Sequence, residues 1–218
     1  CAFLDAYDPA ATFSSIDRQR RYAFANQPPI AQWNLARLAE SLLPLIDEDE
    51  NKAVEIASER IGRFKPLHEE RWKAMMRGKL GLAGEEEGDA ALALEPLELV
   101  RARRAAYTNT FLALAGRVVE GGNPPLPVGT DAWNLQRRAR IERQEGGEGA
   151  ALERMARSNP LYIPRNHKVE AALTAAVEHG DLLPFQRLLG IVQQPYREHG
   201  DAAEFQLPMP SDLGPYRT

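Results

Sequence analysis

The chain has 218 residues, 44% hydrophobic and 27% charged, the ordinary balance of a globular protein with length for one sizeable core or two small ones. A net charge of −4 argues against nucleic-acid binding by bulk charge, and a lone cysteine, Cys1, excludes an internal disulfide scaffold. No apolar run approaches the roughly 18 residues that span a bilayer, and no signal-peptide pattern is present, so the expected partners include neither nucleic acid nor membrane and the expected compartment is the cytoplasm.

Residues 1–25 lack sustained periodicity. Asp8-Pro9, Ser14-Ser15 and Asp17 are turn formers whose side chains compete with helical hydrogen bonding, which predicts an extended segment or loop. Asn26 can cap a helix whose first turn accepts Pro28 or Pro29, and Leu35, Leu38, Leu42 and Leu45, widened by Ile30, Trp33 and Ile46, predict a core-facing stripe. The acidic run Asp47–Glu50 ends that helix and starts the next, expected over 49–64 with a break near Pro66. A third helix is expected over 67–80, then a polar linker through Gly84-Glu85-Glu86-Glu87-Gly88, a fourth helix from an Asp89 cap to about Arg104, and a fifth from Ala105 to Val119 stopped by Gly121-Gly122. Asn123-Pro124-Pro125-Leu126-Pro127 reads as a stiff connector. Helices follow over 131–144, 150–157, 167–179 (capped by Asn166, stopped by Gly180) and from an Asp181 cap to about Gln194, with an irregular tail from Leu207. No strand alternation is sustained and no repeat appears, so the expected fold class is mainly all-α.

The search for chemistry is less productive. The histidines His68, His167, His179 and His199 never pair with another histidine or cysteine at helical spacing, which argues against a metal site. There is no nucleophile elbow and no glycine-rich phosphate cradle; the glycines at 84 and 88 flank glutamates that repel phosphate. Arg137, Arg138, Arg140 and Arg143 read as the outer face of a helix built on Trp133, Leu135 and Ile141, and Asn159-Pro160-Leu161-Tyr162 reads as a helix-ending turn despite its likeness to a phosphotyrosine ligand. Two segments stand out. Ser14, Ser15, Asp17, Arg21, Tyr22, Asn26 and Gln27 crowd polar groups beside an amphipathic helix, and Arg165, Asn166 and His167 sit at a helix start, where backbone amides favour anions. Each is either a structural hydrogen-bond hub or the wall of a site; the residues alone do not decide, and they define no constellation of nucleophile, base and electrophile.

The runs Phe3-Leu4-Asp5-Ala6-Tyr7-Asp8-Pro9, Phe13-Ser14-Ser15-Ile16-Asp17, Arg21-Tyr22, Asn26-Gln27-Pro28 and Trp33–Glu40 resemble the SelO (YdiU) family. Met76–Leu82, Tyr107–Phe111, Asn159–Glu170, Gly180-Asp181-Leu182, Phe185, Leu188-Leu189 and Pro195-Tyr196 extend the match collinearly over almost the whole chain. Two positions depart: the family usually has glycine where this chain has Arg20, and often a second tyrosine where this chain has Phe24, so no phenolic hydroxyl is available there.

The resemblance implies a protein-kinase-like fold that transfers AMP from ATP to serine, threonine or tyrosine hydroxyls, with the nucleotide and magnesium (or manganese) groups upstream of Cys1. It implies an activation-segment-like region over 1–27, a helical C-lobe-like domain over 28–206 and an irregular tail over 207–218. The ends look like cuts through a longer protein. The expectation is a fragment with no catalytic, cofactor or metal residue of its own, inactive alone, whose partners are the missing N-terminal half and acceptor proteins, with self-association through the exposed truncation face. In this reading the ten polar residues singled out above are acceptor-facing or structural. Rival readings are a free-standing helical scaffold that binds a partner through 26–46 and a fragment of a kinase-like phosphotransferase.

Overall fold

The computed structural model describes residues 3–117 and 130–210, with Thr130 described by its backbone alone. Among the described residues there are α-helices and short 3-10 turns but no β-strand, so the chain is mainly all-α. It divides into two compact units, Pro9–Ala74 on one side and Cys1–Asp8 with Met75–Thr218 on the other.

The unit Pro9–Ala74 holds a 3-10 turn (Phe24–Asn26), helices α1 (Gln27–Ile46) and α2 (Glu50–Gly62), and the start of α3 (Phe64–Leu80). Pro28 and Pro29 occupy the first turn of α1, where a missing N–H has no acceptor to lose. Asp49 caps α2 by accepting from the Asn51 and Lys52 amides at 2.9 and 3.3 Å, and Asp47 pairs with Lys52 at 2.5 Å, so the acidic run is the expected helix junction. Pro66 cannot donate to the carbonyl of Gly62, the last residue of α2, and sits instead in the first turn of α3, so the helix break falls at Arg63, close to where it was expected.

The leucine stripe of α1 does not face a core. Leu35, Leu38, Leu42 and Leu45 are 41%, 55%, 39% and 82% exposed, and α1 has no buried residue. The less exposed stripe is one residue over, at Gln32, Ala36, Ala39, Leu43 and Ile46, and the Gln32 amide reaches the Ile61 carbonyl at 3.4 Å. Ala53 and Ala57 are the buried residues of α2, so the antiparallel pair closes on small side chains of both helices. Close backbone approach thus selects the alanine stripe over the leucines.

The other unit comprises the end of α3, then α4 (Asp89–Arg103), α5 (Tyr107–Leu114), α6 (Thr130–Glu142), α7 (Gly147–Ser158), α8 (Asn166–His179), α9 (Leu183–Val192) and a 3-10 turn (Ala203–Phe205). Its N-terminal strap runs antiparallel to the start of α5 at an Ala6–Ala106 bridge, with the Tyr107 amide donating to the Asp5 carbonyl at 2.8 Å. Leu112, Leu161, Tyr162, Ala172, Leu188, Ile191, Ala202 and Phe205 form a core, with Val169 and Val192 packed against it. Burial of Tyr162, whose hydroxyl takes the His199 amide at 3.3 Å, makes the turn at 159–162 structural. Gly180, at φ 64°, stops α8 as expected, and the Asp181 carboxylate accepts the Leu183 amide at 3.0 Å. Helix α5 ends at Leu114, short of the expected Val119; the expected stop at Gly121-Gly122, the connector 123–127 and the end of the tail lie outside the described residues.

One expectation inverts. Arg137 and Arg140 are buried, 5% and 2% exposed, whereas Leu135 is 67% exposed. Trp133, Arg137, Arg140, Ile141 and Gln144 share a face at helical spacing, and the arginines bury because every strand of backbone they meet offers a carbonyl. Arg140 pairs with Asp89 at 3.1 Å and donates to the Ala83 carbonyl at 2.8 Å; Arg137 donates to the Leu80 carbonyl at 2.9 Å. Glu86 takes Arg140 and Arg143, so the polar linker before α4 is pinned rather than loose. Gly81 completes this corner: its φ is 78°, and a Cβ there would come within 3.0 Å of the Ala151 carbonyl oxygen.

Candidate functional site: two polar clusters in separate units

The structure assigns the two polar segments to different units. In Pro9–Ala74, Asp17 organises a tight turn: its Oδ1 and Oδ2 accept the Arg21 and Tyr22 amides at 2.8 and 2.9 Å. Asn26 sits at the N-cap position of α1 but caps nothing; its φ and ψ are already helical, and its Nδ2 donates to the Arg20 carbonyl at 2.9 Å. Gln27 is the first helical residue and is exposed. Arg21 lies over the Trp33 ring at 4.1 Å and Arg37 approaches the same ring at 5.3 Å, so α1 presents an aromatic plate flanked by two guanidinium groups. Ser14 is half-buried and Ser15 exposed; Tyr22 is 49% exposed. Arg20 adopts φ 55°, the left-handed region, which explains why a glycine suits this position.

In the larger unit, Arg165 is the centre of a buried hub. It is 1% exposed; its Nη1 pairs with Asp5, and its Nη2 donates to Asn109 Oδ1 at 2.5 Å and the Gln206 carbonyl at 2.8 Å. Asp5 Oδ2 also accepts the Met209 amide at 2.9 Å. Asn166, expected to cap α8, is instead its first residue and grips the Phe3 backbone, donating to its carbonyl and accepting its amide, both at 2.9 Å. Burial pushes the Arg165 guanidinium down from its ordinary value while Asp5 pulls it back up. Here the hub reading is the one the geometry carries: three polar contacts tie the N-terminal strap, α5, α8 and the segment 206–209 together.

His167 points elsewhere. Its Nδ1 is buried with no hydrogen-bond partner among the described residues, and burial, with Lys168 adjoining, lowers its pKa. It lines a largely apolar groove of about 530 Å³ along α8 with Glu170, Ala171, Thr174, Ala175, His179 and Met209.

Sequence reasoning missed Lys79. It is 8% exposed, donates to Asn159 Oδ1 at 3.2 Å and lies over the Tyr107 and Phe111 rings at 5.2 and 4.9 Å. Burial pushes its ammonium down to about 8 and the Tyr107 hydroxyl up to about 12. Asn159 Nδ2 donates in return to the Lys79 carbonyl at 3.0 Å, a pairing that left no trace in spacing because Lys79 lies on α3 and Asn159 just past the end of α7. Among the described residues no group of three or more histidine, cysteine or carboxylate side chains is placed to hold a metal ion.

The arrangement matches a family along its length. The family model described as "Protein adenylyltransferase SelO" covers residues 1–193. The chain belongs to the SelO family. Relatives named "Protein nucleotidyltransferase YdiU" include one from Alkaliphilus metalliredigens, 46% identical over 218 residues, and one from Cereibacter sphaeroides strain KD131, 48% identical over 223 residues. A third, from Brevibacillus brevis, is 45% identical over 221 residues. Each alignment takes in 100% of this chain but only 44–45% of the relative, so the chain spans less than half the length of the SelO-family proteins it matches.

Proposed function

We propose that this chain is the helical C-lobe-like part of a protein adenylyltransferase with a kinase-like fold. Residues 1–27 correspond to the activation segment, 28–206 to the lobe and 207–218 to an irregular tail. The whole protein would join the α-phosphorus of ATP to an acceptor serine, threonine or tyrosine oxygen and release pyrophosphate, in the cytoplasm. The observation that carries this is the collinear family match together with the 44–45% coverage of its relatives. Nucleotidyl transfer depends on positioned cations and metal; in this reading ATP and magnesium or manganese bind the remaining half of the protein, which is the chain's first partner. Within this reading Ser14, Ser15, Asp17, Arg21, Tyr22, Asn26 and Gln27 face the acceptor protein, whereas Arg165 and Asn166 hold the lobe together and His167 lines the groove along α8.

The exposed leucines of α1 favour a rival: docking of a separate partner protein on a free-standing scaffold. One experiment separates the two. Incubation with ATP and magnesium, followed by mass spectrometry, is expected to show AMP added to protein hydroxyls by a version extended to the length of its relatives and none by the 218-residue chain. Transfer by the short chain overturns the proposal; silence from both forms supports the scaffold.

A further inference from the structure

The α1–α2 hairpin is acidic at its connecting end and rich in arginine at the other, where Glu59 lies beside Arg60. Its connecting end carries Asp47, Glu48, Asp49 and Glu50. At the opposite end, the Gln32–Ile61 hydrogen bond sets the start of α1 beside the end of α2, which brings the exposed Arg60 and Arg63 to the same end as the turn bearing Arg18, Arg20 and Arg21. That turn is fastened to α1 by the Asn26 side chain on the Arg20 carbonyl. The nearest carboxylate in sequence, Asp17, spends both oxygens on backbone amides, and no ion pair links Arg18, Arg20 or Arg21 to an acid among the described residues. Arg37 on α1 adds a further guanidinium, shared with Glu40 at 2.5 Å.

We propose that this basic end docks an acidic segment of the acceptor protein. The inference rests on the adenylyltransferase reading and names the class of acceptor it would favour: proteins with aspartate- or glutamate-rich stretches near the modified hydroxyl. Three features select an acidic polypeptide. Guanidinium forks fit carboxylates with paired hydrogen bonds. The Trp33 ring, 45% exposed, carries Arg21 at 4.1 Å and Arg37 at 5.3 Å, which fixes these cations in place. Asp17 is engaged by backbone amides, so the charges of Arg18, Arg20 and Arg21 stay available to an incoming carboxylate. Arg20 adds a fourth argument: an arginine held at φ 55° costs about 1 kcal/mol relative to a relaxed backbone, and a side chain kept at such a position points to use of the side chain.

The test is direct binding, without nucleotide, to the 218-residue chain. Fluorescent oligoglutamate and oligoglutamine peptides of about ten residues and an oligouridylate of equal length are titrated by anisotropy at low salt and at roughly 0.3 M salt, where exposed charge pairs are screened. The R18Q/R20G double variant is compared with R103Q/R157Q, which removes two exposed arginines from the other unit. Oligoglutamate is expected to bind in a salt-sensitive way and oligoglutamine not at all. R18Q/R20G should weaken oligoglutamate by roughly fivefold or more while its thermal midpoint stays level or rises, because glycine relieves the left-handed position. The control pair should leave binding unchanged. Equal loss in both variants, no binding of oligoglutamate, or tighter binding of the RNA overturns the proposal. None of these readouts involves AMP transfer, so a failure here leaves the adenylyltransferase reading standing on its own test.

Discussion

Replacing Arg165 by methionine keeps the length of the stem and removes the guanidinium, and the structure sets the size of the effect. Three acceptors lose their donor at once: the Asp5 carboxylate, Asn109 Oδ1 and the Gln206 carbonyl. Removing one partner of a buried ion pair costs about 3–5 kcal/mol, because the charge left behind has neither partner nor water. The Asp5 side chain is 13% exposed and keeps the Met209 amide, so part of its hydration returns and the lower end of that range applies, about 3 kcal/mol. Equilibrium unfolding in urea, followed by circular dichroism, should show the midpoint falling with little change in slope. In a double-mutant cycle with D5N, most of the loss should be shared, since the second change removes the charge that the first one strands. R165K should recover only part of the stability, as an ammonium cannot reach three acceptors from one plane. A loss below about 1 kcal/mol would refute the hub reasoning. So would an extended protein that keeps its stability yet loses AMP transfer, because that outcome makes Arg165 the wall of a site.

Lys79 and Tyr107 predict the alkaline stability profile. The Lys79 pKa falls from 10.5 to about 8 on folding, so the unfolded chain binds the extra proton between those values and stability should rise with pH across that window. Below pH 8 the penalty of the buried ammonium is present in full. Tyr107 acts in the opposite sense: its folded pKa of about 12 lies above 10.0, so stability should fall once the pH passes 10. K79M should abolish the rise seen in thermal midpoints between pH 8 and 10; persistence of that rise would assign it to another group. L38E/L42E tests the exposed stripe of α1. If the stripe mediates self-association, sedimentation should show concentration-dependent oligomers of the parent chain and monomers of the variant, with helicity unchanged; oligomers that survive the substitutions place the contact elsewhere.

Helix positions were legible because they depend on local chemistry: Pro28 and Pro29 in a first turn, the acidic run Asp47–Glu50 as a helix junction, Gly180 in a left-handed stop. Which face of a helix is buried was not legible where two stripes compete. On α1 the leucines carry the stronger hydrophobic pattern, yet Ala36 and Ala39 permit the closer approach to α2. On α6 the arginines look like solvent residues until the carbonyls at Leu80 and Ala83 are seen to meet them. The candidate site divides in the same way. The turn chemistry of Asp17 was local and readable. The partners of Arg165 and Asn166, by contrast, lie 160 and 163 positions away at Asp5 and Phe3, or 56 away at Asn109, and no periodicity encodes them.

The strap at Phe3–Asp8 also governs the order in which the chain can fold. The Asp5–Met209 hydrogen bond joins residues 204 positions apart, and the unit it closes is interrupted by all of Pro9–Ala74. Contacts of such separation must overcome a large loop-closure entropy before they stabilise anything. During synthesis from the N-terminus the α1–α2 hairpin has all its partners within about one domain's worth of emerging chain and can form early. The larger unit cannot finish closing until the segment carrying Gln206 and Met209 has left the ribosome, and until then Asp5 lacks the Met209 amide and Arg165 the Gln206 carbonyl. Arg165 is thus the latch of a ring that shuts last.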